Sequence, residues 1–242
     1  MDPEYLLPMI QEIKGFGEVW AFSPPAPPTE EALLSTWTQG LIRAVKELKQ
    51  PVIIGHSFGG MLALQAGIKA PDCKGLILIS TFPDSGWQAH TAEAVKRADP
   101  SLWAEAEQAW IKRGDNDALA ALFAAWSPFY FSEPHIDRGR HWLSQLTYSA
   151  KTYRFGPRFF ENYRPKLELE DTPTLVIGGD RDQITPITGF KRPEFSKFKK
   201  FYLHVITGTG HFPWFERPEP VRMALQGFAD LLATPQFRGS YD

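Results

Sequence analysis

Two short apolar runs constrain this chain more than any other feature. Pro51-Val-Ile-Ile-Gly55 and Lys74-Gly-Leu-Ile-Leu-Ile-Ser80 are continuous, and turn residues bound them. A strand with one wet face alternates apolar and polar side chains; a strand buried on both faces does not. Between the two runs, residues 58–69 read as a helix. Strand, helix and strand in that order make a parallel pair joined by a crossover. Strand signals return at residues 174–177 and 201–206, and a last helix covers about residues 218–232. The expected fold class is α/β: a mostly parallel sheet flanked by helices.

The remaining segments fit around that sheet. Residues 3–14 place Leu6, Leu7, Ile10 and Ile13 at helical spacing, and Gly15 and Gly17 stop the helix. Residues 18–22 are a short strand candidate. Ser23-Pro-Pro-Ala-Pro-Pro28 is stiff and extended, with almost no backbone donors. Thr29 is placed to cap a helix whose first turn holds Glu30 and Glu31, and Leu33, Leu34, Trp37, Leu41, Val45 and Leu48 line one face of it. Residues 88–163 carry no strand pattern. They read as consecutive helices broken at Pro100, Gly114, Pro128, Pro134 and Gly156, and they are rich in aromatic side chains. This block lies between two strands, so residues 84–170 are expected to be a helical insertion, with residues 1–83 and 171–242 forming the core.

Composition narrows the function classes. The chain has 242 residues, 26 Lys plus Arg against 28 Asp plus Glu, and a net charge of −2. Nucleic acids and anionic membranes call for a basic surface, so neither is an expected partner. Cys73 is the only cysteine, which excludes an internal disulfide and a cysteine-rich zinc site. No apolar run approaches the roughly 20 residues that span a bilayer. The first residues, Met-Asp-Pro-Glu-Tyr, lack the basic and apolar regions of a signal peptide. The expected compartment is the cytoplasm. The sequence leaves the oligomeric state open.

Gly55-His56-Ser57-Phe58-Gly59-Gly60 matches G-x-S-x-G between a strand and a helix. Small neighbours let a serine sit on a sharp, strained turn with its oxygen above the sheet edge. The same turn aims the helix N-terminus and the Phe58 N–H at a developing oxyanion. A serine hydroxyl needs a base. His211, in Gly208-Thr-Gly-His-Phe-Pro213, lies in a glycine-rich loop after the last strand. His204 sits inside a strand pattern, His90, His135 and His141 fall among the inserted helices, and His56 should point away from its neighbour Ser57. The base in turn needs an acid to hold its tautomer. Asp180 and Asp182 both follow the strand at 174–177, where ligands bind in open parallel sheets, and Asp84 follows the strand at 74–80.

Together these motifs resemble a capped α/β-hydrolase over nearly the whole chain, from Leu6 to about Leu232. The resemblance rests on Gly55–Gly60, on Gly179 to Pro186 with its Gly-x-x-Asp-x-x-x-Pro pattern, and on Gly210-His211 followed by Glu216-Arg-Pro. The order Ser57, Asp182, His211 is that superfamily's order. Its pattern places the acid four residues before the proline, which implies Asp182 over Asp180. It also implies that residues 84–170 are a cap over the active site, and that no cofactor or metal takes part. The stretch Lys74 to Pro83 and the long aromatic cap are similar to the proline iminopeptidase-like branch, whose cap carboxylates hold a free amine. Glu105, Glu107, Glu133 and Glu161 are the candidates for that role here. Trp126, Phe129, Tyr130 and Phe131 are expected to face the serine, because Pro128 breaks their helix and turns the run.

One departure stands out. Members of the superfamily open with further strands and a His-Gly loop that supplies a second oxyanion N–H. This chain has no His-Gly pair, and the strand candidate at 18–22 is followed by prolines. A truncated chain is favoured over a replacement segment, since a gap in a parallel sheet strands two rows of backbone groups. The leading expectation is a serine hydrolase acting on a small apolar ester or amide, with an N-terminal prolyl peptide among the candidates. The alternative is a weakly active or non-catalytic binding protein on a hydrolase fold. A nicotinamide-binding oxidoreductase fails because no G-x-G-x-x-G follows a strand.

Overall fold

The computed structural model describes residues 2–234. Met1 and residues 235–242, assigned to the core from sequence, lie outside the described residues. The architecture is a four-stranded sheet in the order β1 (Val52–His56), β2 (Gly75–Ile79), β3 (Thr174–Gly179) and β4 (Phe201–Ile206). All three pairings are parallel. The registers are His56 with Ile79, Ile79 with Ile177, and Ile177 with His204. The strands therefore end on the same side, with β3 and β4 running on to Gly179 and Ile206, and the loops that leave them emerge on one rim.

Helices cover both faces. On one side α2 (Leu33–Lys46) and α3 (Phe58–Ala66) pack on Ile53, Leu76, Leu78 and Val176. On the other, α1 (Leu7–Gln11) and α12 (Pro218–Ala233) pack on Val52, Ile54, Ile77, Ile79 and Ile177. Gln226 of α12 exchanges hydrogen bonds with both backbone groups of Lys14, at 3.1 Å each, which ties the N-terminal turn to the last helix. Leu76, Ile77, Leu78 and Ile79 are fully buried, as the continuous apolar run predicts for a central strand. Burial of each such side chain contributes about 1.5–3 kcal/mol. The run at 51–55 behaves differently. Among the described residues strand β1 pairs only with β2, so it is an edge strand, and Val52, Ile53 and Ile54 are half-buried.

The strand expected at residues 18–22 does not form. Val19 packs into the core on one face of the sheet, Phe22 into the core on the other, and Trp20 is 66% exposed. This stretch carries the chain from one face to the other, and its side chains are divided between two cores. Among the described residues the first strand is β1. The proline run is pinned where Trp37 donates its indole N–H to the Pro25 carbonyl at 2.7 Å. Helix α2 starts at Leu33, later than predicted, because the Thr29 hydroxyl accepts from Ala32 N–H and closes a turn ahead of the helix. Its buried face is Leu33, Trp37, Leu41 and Val45.

Between β2 and β3 run α4 (Trp87–Arg97), α5 (Ala104–Arg113), α6 (Asn116–Ala125), α7 (Ser127–Tyr130), α8 (Ile136–Gln145), α9 (Ala150–Tyr153) and α10 (Gly156–Glu161). Each predicted break has a physical counterpart. Gly114 ends α5 in the left-handed region at φ 58°, and Asp115 caps α6 by accepting from Ala118 N–H. Pro128 lies in the first turn of α7, and Gly156 opens α10. A short helix, α11 (Pro213–Glu216), precedes α12.

Candidate active site

The turn from β1 into α3 sets the geometry. Ser57 sits at φ 52°, ψ −120°, a conformation that costs a non-glycine residue about 1–3 kcal/mol. It is held there from both sides: its N–H donates to the Ile79 carbonyl at 2.9 Å, and its carbonyl accepts from the Thr81 hydroxyl at 2.7 Å. A side chain at Gly55 would lie 2.6 Å from the Gly60 backbone, and one at Gly60 would lie 2.7 Å from Thr81. The glycines allow β1 and α3 to approach this closely. The Ser57 hydroxyl makes no capping bond to its own helix. The N–H of Phe58, at the start of α3, has no intrahelical acceptor. Its ring packs on Trp37 and Phe159, at 5.3 and 4.9 Å between centroids.

The loops after β3 and β4 complete a row of side chains. Ser57 Oγ lies 2.9 Å from His211 Nε2, and His211 Nδ1 lies 2.9 Å from Asp182 Oδ2. Both His211 and Asp182 are buried. The Asp182 carboxylate accepts from the N–H groups of Ile184 and Thr185 at 2.8 and 3.0 Å and from the Thr185 hydroxyl at 3.0 Å. Burial by itself would raise its pKa. The His211 ring and these donors outweigh burial and hold the carboxyl below the usual carboxylate range. An ionised Asp182 can only accept, so Nδ1 of His211 carries the proton and Nε2 is free to accept from Ser57.

The other candidates are placed elsewhere. Asp180 accepts from Gly208 N–H at 2.7 Å and shapes the loop before His211. Asp84 pairs with Arg192 at 2.6 Å and caps Gly86. His90, His141 and His204 are exposed and His135 is half-buried. Glu105, Glu107, Glu133 and Glu161 are all exposed, and Glu161 pairs with Arg158. Of the aromatic run, Tyr130 stands over His211, with 5.5 Å between ring centroids. Phe129 is buried against Trp103, Trp126 and Ile184, and the half-buried Trp126 packs in the same cluster. Phe131 is buried against Phe212 and Phe215. Burial pushes the Cys73 thiol up to about 12, and Asp72 adds to the shift, so the lone thiol is inert as a nucleophile.

His56, Tyr130 and Glu216 grip the histidine loop, and Ser132 is tied to it through Glu216. His56 donates through Nε2 to the His211 carbonyl at 2.9 Å, and His211 N–H donates to the Tyr130 carbonyl at 2.6 Å. The buried Glu216 carboxylate accepts from Gly210 N–H at 2.7 Å, from Ser132 N–H at 2.9 Å and from the Ser132 hydroxyl. Gly210 runs so close to the inserted helices that a side chain there would lie 2.3 Å from the Tyr130 carbonyl. The sequence shows Glu216-Arg-Pro only as part of the resemblance and gives Glu216 no role, and nothing in it pairs Glu216 with Ser132. Two surface clefts, about 350 and 470 Å³ in volume, include none of Ser57, Asp182 and His211. Among the described residues no group of three or more His, Cys, Asp or Glu is gathered as a metal would need. No described helix is long and apolar enough to cross a membrane.

Residues 12–224 match the model of the alpha/beta hydrolase family. An uncharacterized hydrolase of Bacillus subtilis, YugF, is 24% identical over 196 residues, an alignment that spans 75% of this chain and 66% of that protein. Among solved structures, an esterase of Thermogutta terrifontis superposes with a TM-score of 0.63 at 21% identity, over 97% of this chain and 87% of its own. A proline iminopeptidase-related protein of Thermus thermophilus gives 0.56 at 24% identity, over 88% of this chain and 75% of its own. At these identities the structural likenesses speak for the fold.

Proposed function

The chain belongs to the alpha/beta hydrolase family, and from that premise we propose that it is a serine hydrolase working through an acyl-enzyme. The observation that carries this reading is the unbroken row from Ser57 Oγ through His211 to Asp182, both contacts at 2.9 Å, at the mouth of α3. Ser57 attacks the substrate carbonyl carbon while its proton passes to His211 Nε2. Asp182 stabilises the imidazolium that forms. Phe58 N–H, backed by the first turn of α3, donates to the oxyanion. The proton on Nε2 then goes to the leaving group, which departs as the carbonyl re-forms. Water, deprotonated by the same nitrogen, releases the acid and regenerates Ser57.

An apolar ester is the favoured substrate class. An aminopeptidase needs a carboxylate to hold the substrate ammonium. The candidates Glu105, Glu107, Glu133 and Glu161 are exposed, and the buried Asp182 and Glu216 already accept hydrogen bonds from within the protein. The test is labelling with a fluorophosphonate and hydrolysis of p-nitrophenyl esters. Native protein should label and turn over, and Ser57→Ala should do neither. Labelling that survives in Ser57→Ala moves the nucleophile elsewhere. Native protein that neither labels nor hydrolyses any ester supports the binding-protein alternative. Turnover of proline p-nitroanilide in preference to esters moves the substrate class to N-terminal prolyl peptides.

A further inference from the structure

We propose that Tyr5 and His56 are positioning residues for His211, forming a proton-ordered chain that fixes its main chain and places an uncharged ring beside it. The proposal rests on the triad reading above. Tyr5 lies ahead of α1, more than fifty residues from His56 in sequence, yet its hydroxyl is 2.5 Å from His56 Nδ1. The other nitrogen, Nε2, is 2.9 Å from the His211 carbonyl.

The direction of both bonds follows from the end of the chain. A carbonyl oxygen only accepts, so Nε2 of His56 must carry a proton. Nδ1 of the neutral ring then has a lone pair, and the Tyr5 hydroxyl must donate to it. A His56 protonated on both nitrogens would instead donate from Nδ1 to the phenol oxygen, and the Tyr5 hydroxyl would have to turn its own proton away from the ring. With His56 buried among Phe212 and Trp214, the arrangement favours the neutral ring. This matters because the His56 and His211 rings are 4.8 Å apart, and His211 becomes a cation during the proposed reaction. A second cation at that distance would oppose it.

The surroundings agree. The titratable groups that face His56 are Tyr5, His211 and, through the field it exerts, Asp182; Tyr148 lies beyond Tyr5. Burial, then the neighbouring His211, drive the His56 pKa well below its usual value, more than its bond to the His211 carbonyl and Asp182 recover. Burial pushes the Tyr5 phenol up, so it stays a donor. The ring of Tyr5 is itself fixed by Trp214, stacked at 6.0 Å, and by the edges of Trp142 and Phe212. His56 is enclosed by Phe212 and Trp214 at 5.0 and 4.6 Å. At the other end of the same residue, the His211 N–H is held by the Tyr130 carbonyl. His211 is therefore clamped at both of its peptide groups.

The test uses the full chain labelled with ¹⁵N-histidine, with Tyr5→Phe and His56→Gln. In the native protein the His56 Nδ1 resonance should be that of an unprotonated acceptor and should not titrate while the fold persists. In Tyr5→Phe the freed lone pair should take up a proton on acidification. That variant should lose up to about 10²-fold in kcat, the scale of a small misplacement, with KM near native. The acid limb of its kcat profile should steepen from one proton toward two. His56→Gln supplies a donor and an acceptor that cannot become charged. It should keep a one-proton limb, as should the double variant. A native Nδ1 that carries the proton overturns the proposal, and so does a Tyr5→Phe with unchanged kcat and unchanged His56 titration. If Tyr5→Phe does not fold, the native tautomer decides. Should esters not be turned over at all, the triad reading fails, while the ¹⁵N spectra still report on the Tyr5–His56 chain.

Discussion

At the scale of single residues, the site divides into groups that would react and groups that hold them. Asp182 belongs to the second. Its side chain is fully buried, its pKa is held below the usual carboxylate range, and His211 Nδ1 is its partner. Asp182→Asn should lower kcat on the order of 10⁴, as loss of the acid does in serine proteases, because the amide favours the wrong tautomer. Asp180→Asn removes only the acceptor for Gly208 N–H and should cost far less. Stopped assays on purified variants would rank them, and the opposite ranking would move the acid role to Asp180. Asp182 also carries a pH signature. A depressed carboxyl pKa contributes stability that is fully present above the unfolded value and is lost as pH falls through the folded one. Thermal melts taken down through the carboxylate range should therefore fall more steeply for the native protein than for Asp182→Asn.

At the scale of elements, α7 has two consequences, one for each neighbouring residue. Pro128 lies in its first turn, and the chain bends so that Phe129 and Tyr130 point to different neighbours. Phe129 fills the cluster of Trp103, Trp126 and Ile184, where truncation leaves a cavity. Phe129→Ala should lose about 3–5 kcal/mol in urea unfolding and lower turnover of large and small esters alike. The Tyr130 ring lies over His211. Tyr130→Leu should instead raise KM for a bulky acyl ester more than for an acetyl ester, with kcat less affected, since an apolar wall contributes uniform binding. Equal losses on both esters would assign Tyr130 to packing alone.

At the scale of the whole molecule, the inserted helices and the sheet meet at the histidine loop. Glu216 is the joint: its carboxylate takes donors from Gly210 on the sheet side and Ser132 on the helical side. Glu216→Gln keeps the size but turns an amide donor toward N–H groups. It should destabilise the protein by about 1.5–3 kcal/mol, the range for hydrogen bonds to a charged group. It should also raise hydrogen exchange at Gly210 and Ser132 together. Exchange confined to one side would show that the two layers are held independently.

Much of this was legible in one dimension. The apolar run at Gly75–Ile79 reads as a strand because it is short, continuous and bounded by turn residues, and it is fully buried. The motif around Ser57 marks its own turn, because only small residues admit that backbone path. The helix breaks at Gly114 and Pro128 follow from local sterics. Tertiary structure decided what depends on neighbours distant in sequence. Residues 18–22 have the composition of a strand, but among the described residues no strand lies alongside to pair with their backbone. The run at 51–55 looks doubly buried, yet β1 is an edge because nothing described pairs beyond it. Periodicity reports which side chains avoid water; it does not report which backbone lies alongside. For the same reason the sequence could set His56 aside as pointing away from Ser57. Only the fold brings Tyr5 to one of its nitrogens and the His211 carbonyl to the other.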